Sequence, residues 1–204
     1  MVIRNCQMPD ENPYVVAIAG PNGAVKSTAM KNVLSGPLSV NEFVIADVIA
    51  RGLSGLDPDR AAIAAGRIML TRLSELAKQR QNFAFESTLS SRTFLPRLSL
   101  LIEDGYDFHL LFVWVDGADA CVRRVTDRVQ LGGHLVPEAD VRRRYFRSID
   151  NFQTLYRPTA SSWQLIKNTG VSPVRIAYGG RDEPTVICQS ERWMCFESEA
   201  VDVN

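Results

Sequence analysis

The stretch Ala17 to Met30, AIAGPNGAVKSTAM, constrains this chain more than any other. The apolar run before it, Tyr14-Val15-Val16-Ala17-Ile18-Ala19, has the unbroken hydrophobicity of a strand buried on both faces. From Lys26 to about Leu34 the residues can continue as a helix. A strand, a glycine-containing turn and Lys-Ser at a helix start make a phosphate-binding loop, or P-loop. Glycines let successive backbone N–H groups converge on phosphate oxygens, and the helix N-terminus adds a favourable dipole. Read this way, Gly20, Pro21, Asn22, Gly23, Ala24, Val25, Lys26, Ser27 and Thr28 form the nucleotide-binding loop. Lys26 reaches the β- and γ-phosphates, and the Ser27 hydroxyl ligates Mg2+.

One position breaks the pattern. The residue before the lysine is ordinarily glycine, and here it is Val25. A loop of converging N–H groups alternates right- and left-handed backbone, which predicts a left-handed Val25. For a β-branched residue that conformation costs about 1–3 kcal/mol. Its Cβ is also expected near the path of a phosphate. The fold is therefore that of a nucleotide-binding protein, while the affinity of this particular loop stays open.

Length and composition narrow the rest. At 204 residues the chain reads as a single domain, 1–204, with a lid over about 124–150 and a C-terminal extension over about 171–204. Its 23 basic and 23 acidic residues cancel, so net charge gives no reason to expect bulk nucleic-acid or membrane binding. Cys6, Cys121, Cys188 and Cys195 have no metal-binding or redox spacing and read as reduced thiols. No leader-like opening and no membrane-length apolar run is visible, which points to a cytoplasmic protein.

Along the chain, residues 1–12 read as a loose arm. Glu42 to Asp47 (EFVIAD) and Asn82 to Glu86 (NFAFE) read as strands, each ending in a carboxylate. Between them, Val48 to Asp57 is a loop with helical character, and an amphipathic helix starts at Pro58 with Asp57 as its cap. Ser91 to Glu103 is helical and Gly105 stops it. His109 to Asp116 (HLLFVWVD) is a central strand, and Ala118 to Leu131 a helix broken by Gly132-Gly133. An arginine-rich helix runs from Pro137 through Phe152, and Trp163 to Lys167 is the last parallel strand. Val174 to Tyr178 and Thr185 to Cys188 flank Gly179-Gly180 as a hairpin. Alternating strands and helices predict an α/β fold: an open parallel sheet, helices on both faces, an arginine-rich helical lid and a C-terminal β-hairpin. Ligands of such sheets sit at the carboxyl ends of the strands, which draws attention to Asp47 and Glu86.

Several blocks together resemble the zeta toxin family of P-loop kinases in its short, chromosomally encoded form. They are AGPNGAVKST, FVIADVIARGLSGLDP (Phe43 to Pro58), FAFESTLSS (Phe83 to Ser91), GYDFHLLFVWV (Gly105 to Val115) and RVQLGGHLVPEADVRRRYFRSIDNF (Arg128 to Phe152). The resemblance implies a kinase that uses ATP or GTP with Mg2+ to phosphorylate a small hydroxylated substrate. The family's best-known acceptor is the nucleotide sugar UDP-N-acetylglucosamine, and some members are held inactive by an antitoxin protein. By the same resemblance Asp47 matches the general base and Glu86 a glutamate of the substrate pocket. Glu86 then either binds sugar hydroxyls or helps position Mg2+. Thr88 and Ser90 line that pocket or serve only as helix caps. Arg128 and Arg144 lie on either side of the GGH-x-VP block, where a folded pair of helices brings both to the triphosphate as charge-stabilising groups.

Other polar residues receive plainer readings. Arg123, Arg124, Arg142, Arg143 and Arg147 read as a solvated helix face, His134 as a loop-positioning residue, His109 as structural and Trp114 as core. Ile45 stands where members of the family usually carry asparagine, which removes a polar contact near the acceptor. Three functions compete: a toxin-type kinase, a catalytically weakened relative that acts as a nucleotide- or partner-binding module, and a non-toxic metabolic kinase on the same scaffold.

Overall fold

The apolar runs assemble into one sheet. The computed structural model describes residues 12–26, 38, 40–58, 60–130, 136–168 and 173–199. Its strands are β1 (Tyr14–Ala19), β2 (Glu42–Val44), β3 (Phe83–Ser87), β4 (Asp107–Trp114), β5 (Ser162–Asn168), β6 (Pro173–Gly179) and β7 (Val186–Ile187). They lie in the order β2-β3-β1-β4-β5-β6-β7. The first five in that order pair in parallel, and β6 and β7 add antiparallel at one edge. The expected hairpin is therefore present. Every residue of β1 is buried, so side chains pointing to both faces are covered, as the unbroken apolar run requires.

The helices are α1 (Ala46–Leu53), α2 (Ala62–Lys78), α3 (Leu95–Glu103), α4 (Ala118–Gln130), α5 (Glu138–Asn151), the short α6 (Arg157–Thr159) and α7 (Ser190–Ser198). Several boundaries move from the sequence expectation. Strand β2 stops at Val44, and Asp47 does not end a strand. Ile45 is extended (φ −125°, ψ 117°) and Asp47 lies in the first turn of α1, where a carboxylate suits the positive end of the helix dipole. What read as a loop from Val48 is helix to Leu53. Asp57 caps a turn, its Oδ1 accepting from the Arg60 N–H at 3.3 Å, and α2 follows only at Ala62. Helix α3 starts four residues later than Ser91 because Ser91 and Thr93 bond to each other in a local turn. The central strand β4 is framed two residues earlier, ending at Trp114.

Past Asn151 the chain winds as a π-helical segment, Phe152–Tyr156. Its i to i+5 spacing brings Asn151 and Tyr156 onto one face. Both then reach the loop after β3: Asn151 Nδ2 donates to the Leu89 carbonyl (2.7 Å) and the Tyr156 hydroxyl to that of Ser91 (2.8 Å). Helix α7, which no sequence motif announced, closes the core through aromatic contacts. Phe196 packs on Phe112 (6.0 Å between centroids) and Trp193 stacks on Trp163 (6.1 Å). Arg157 lies over both tryptophan rings. No described helix is long and apolar enough to cross a membrane.

Candidate active site

Strand register brings the pieces of the site to one edge. Ile18 of β1 lies beside Glu86 of β3, Ala19 beside Ser87 and Phe112, and the last residue of β2, Val44, beside Phe85. The loop after β1 begins at Gly20, whose φ is +144° and where a Cβ would overlap the Val113 carbonyl. Gly23 (φ +79°) lies against α4, and a Cβ there would come within 3.0 Å of the Cys121 carbonyl oxygen and 3.2 Å of Arg124 Cβ. The Ala24 N–H closes the turn on the Pro21 carbonyl at 3.2 Å.

Val25 has φ +52°, the left-handed conformation the sequence predicted for it. Positive φ at Gly23 and again at Val25 is the alternation by which successive N–H groups face one point. The valine side chain is 46 % exposed, so it is turned toward solvent and not packed into the loop. Lys26 is buried. Its ammonium donates to the carbonyls of Gly20 (3.0 Å) and Pro21 (3.3 Å) and lies 3.5 Å from Glu86 Oε1. The backbone trace and the lysine fit the phosphates of a nucleotide. Ser27 and Thr28 lie outside the described residues, as do Gly132, Gly133 and His134. Among the described residues no group of three His, Cys, Asp or Glu side chains is arranged to hold a metal ion.

In the loop after β3, Thr88 and Ser90 are joined hydroxyl to hydroxyl at 2.8 Å, with Leu89 between them buried and left-handed (φ +52°). Asp47 is exposed at the start of α1, and Arg51 Nε donates to its backbone carbonyl (3.2 Å). Ile45 lines an apolar groove of about 540 Å³ at the sheet edge, shared with Phe43, Val48, Ile49, Arg67 and Ile68. Lys26 does not line that groove.

The arginines separate into kinds. Arg128 is exposed in the last turn of α4, and Arg144 is half-buried in α5. Arg142 ties the two helices together, reaching Asp119 at 2.6 Å and Glu138 at 2.8 Å. Arg143 pairs with Asp140. Arg124 departs from its expected place on a solvated face. It is half-buried, with its guanidinium donating to the Gly23 carbonyl at 3.3 Å, because α4 packs directly on the P-loop. Asn168, at the end of β5, donates to the Val25 carbonyl at 3.2 Å. Neither contact had a sequence signal, since they span 101 and 143 residues.

Nearby titratable groups are structural. Burial pushes the Cys121 thiol up to about 12, which removes it as a nucleophile. Burial holds His109 below its ordinary value, and its Nδ1 bonds Ser162 Oγ at 2.7 Å, as a structural histidine should. Trp114 is core, yet its indole N–H donates to Glu199 Oε2 (2.8 Å), which also meets the Tyr145 hydroxyl (2.5 Å). Among the described cysteines Cys121, Cys188 and Cys195 are free.

Comparison with known proteins agrees with this architecture. No family profile matches the chain. A chain of the PezAT chromosomal toxin–antitoxin system of Streptococcus pneumoniae superposes with a TM-score of 0.67 at 12 % identity, over 94 % of this chain and 87 % of that one. A structure of AvrRxo1-ORF1:-ORF2 with ATP superposes at 0.66 and 12 % identity, over 95 % of this chain and 66 % of its own. These likenesses establish the zeta-toxin-like P-loop kinase fold. In sequence, an uncharacterized protein of Haemophilus influenzae is 31 % identical over 126 residues, 62 % of this chain and 88 % of that protein. The chain therefore belongs to the same family as that Haemophilus protein, on a fold shared with the PezAT chain.

Proposed function

We propose that this chain is a nucleotide-dependent kinase that phosphorylates a hydroxyl of a small acceptor, with a nucleotide sugar such as UDP-N-acetylglucosamine as the favoured class. One observation carries the reading: a buried lysine ammonium, 3.5 Å from a carboxylate, inside a loop whose backbone alternates as a phosphate nest. A nucleoside triphosphate, ATP or GTP, supplies the transferable phosphoryl group, with Mg2+ held through Ser27. The loop N–H groups and Lys26 neutralise phosphate charge. Glu86 orients Lys26, and Thr88 and Ser90 in the loop that follows it bind the acceptor. Asp47, exposed at the mouth of the strands, takes the proton of the acceptor hydroxyl. Arg128 and Arg144 offset charge that develops during transfer. The ATP in the AvrRxo1 structure and the toxin–antitoxin setting of the PezAT chain support ATP as donor and an antitoxin protein as a partner here.

The left-handed Val25 favours a second reading, in which strain weakens catalysis and the chain serves as a nucleotide- or partner-binding module. Calorimetric titration of Mg-ATP and Mg-GTP, with Lys26→Ala as control, decides between them. Micromolar binding that disappears in the control, followed by phosphate transfer in a screen of nucleotide sugars, supports the kinase and identifies the acceptor, whereas binding without transfer supports the nucleotide-binding module. No binding at millimolar nucleotide overturns it in favour of a partner-binding module.

A further inference from the structure

Two loops at the site hold left-handed backbone at residues other than glycine: Val25 in the P-loop and Leu89 after β3, both with φ +52°. Such conformations persist only where the surroundings over-determine them. The surroundings do so in the same way twice. Asn168 Nδ2 donates to the Val25 carbonyl at 3.2 Å, and Asn151 Nδ2 donates to the Leu89 carbonyl at 2.7 Å. Both asparagines are buried, at 5 % and 3 % exposure. Each is also the last residue of a rigid element, β5 and α5 respectively. Among the described residues the third left-handed residue of this kind, Arg80, has no such clamp to explain. It terminates α2, where the Arg80 and Gln81 N–H groups bond the Ala77 and Leu76 carbonyls.

The physical logic is common to both loops. A left-handed residue turns its carbonyl away from the neighbouring peptide groups, and a carbonyl turned into protein needs a donor. An asparagine amide supplies that donor from a fixed point. Arg92 Nε donating to Asn151 Oδ1 at 3.4 Å leaves the Asn151 amide nitrogen for Leu89. We propose that Asn168 and Asn151 are positioning residues, Asn168 fixing the nucleotide loop and Asn151 the acceptor loop in their strained conformations. The assignment of the loops to nucleotide and acceptor rests on the proposed function; the clamp itself does not.

Amide hydrogen exchange on the full chain, followed at residues 20–26 and 87–91, tests the clamp without any ligand. Asn168→Ala is expected to speed exchange in the first segment roughly threefold to tenfold, the worth of one hydrogen bond, and to leave the second unchanged. Asn151→Ala is expected to do the reverse. In a Val25→Gly background the effect of Asn168→Ala should shrink severalfold, because glycine accepts positive φ without a clamp. Leu89→Gly should suppress Asn151→Ala in the same way. Equal effects with and without the glycine, or both segments moving together, would reduce the asparagines to ordinary packing and overturn the proposal. Where Asn168→Ala does not fold, Asn168→Ser is read identically. Titration of Mg-ATP into the same proteins separates the two ideas. Exchange that follows the clamp pattern in a protein that binds no nucleotide sustains the clamp and removes the nucleotide reading.

Discussion

Replacing Val25 by glycine tests the central irregularity of this site. The residue sits at φ +52°, and left-handed backbone at a β-branched residue costs about 1–3 kcal/mol. Glycine adopts the same backbone at no steric cost. Against the gain stands the greater freedom of glycine in the unfolded chain, about 0.4–1 kcal/mol. Little packing is lost, since the valine is 46 % exposed. Strain that the folded loop carries before nucleotide arrives will appear as stability, at roughly 2–4 °C in Tm per kcal/mol for a chain of this size. Strain incurred on binding will appear as affinity, at about tenfold per 1.4 kcal/mol. Because Val25 already holds φ +52° in the folded loop, the expected outcome is a net gain of roughly 1–2 kcal/mol in stability, read as a Tm higher by about 2–8 °C, with Mg-ATP binding by calorimetry no weaker. Unchanged affinity together with an unchanged melting temperature would refute the strain argument, and the loop would then accommodate valine freely.

Gly20→Ala is expected to destabilise the fold by at least about 3 kcal/mol in urea unfolding, because the new methyl overlaps the Val113 carbonyl at positive φ. An unchanged unfolding midpoint would show that β1 and β4 can part there. Glu86→Gln removes the carboxylate 3.5 Å from Lys26, and kinetics should show a fall in phosphate transfer larger than the change in Mg-ATP affinity. A change in affinity alone would place Glu86 on the nucleotide side only. Burial raises the Glu199 carboxyl above its ordinary 4.5, outweighing the hydrogen bonds from Tyr145 and Trp114, which act to lower it. The folded state therefore holds that proton more tightly than the unfolded chain, so its contribution is present below about pH 4.5 and is lost as pH rises through the folded value. Urea midpoints across that window should decline in the wild type and decline less in Glu199→Gln; parallel curves would mean that Glu199 titrates normally.

Much of this protein was legible in local patterns. The buried strand before Gly20, the loop, the central strand at Leu110 to Trp114 and the hairpin around Gly179 follow from hydrophobic period and turn chemistry, which act over a few residues. Even the left-handed Val25 was predictable, because a nest of N–H groups requires alternation whatever side chain occupies it. Element ends were less readable. Asp47 belongs to a helix turn and not to a strand, since strand pairing with β3 stops at Val44 and no pattern in EFVIAD marks that point. Helix α7 has no local signature because its apolar residues answer to aromatic rings on β4 and β5, far away in the chain.

What only the tertiary structure decided is how the loops are held. The pairing of Lys26 with Glu86 depends on β1 and β3 lying side by side in register. Arg124 left the solvated face assigned to it because α4 packs on Gly23, and Asn168 and Asn151 reach Val25 and Leu89 across intervals of 143 and 62 residues. Sequence specifies the residues that can bind phosphate through short-range geometry. The donors that keep those residues in strained conformations come from elements whose proximity exists only once the sheet has formed.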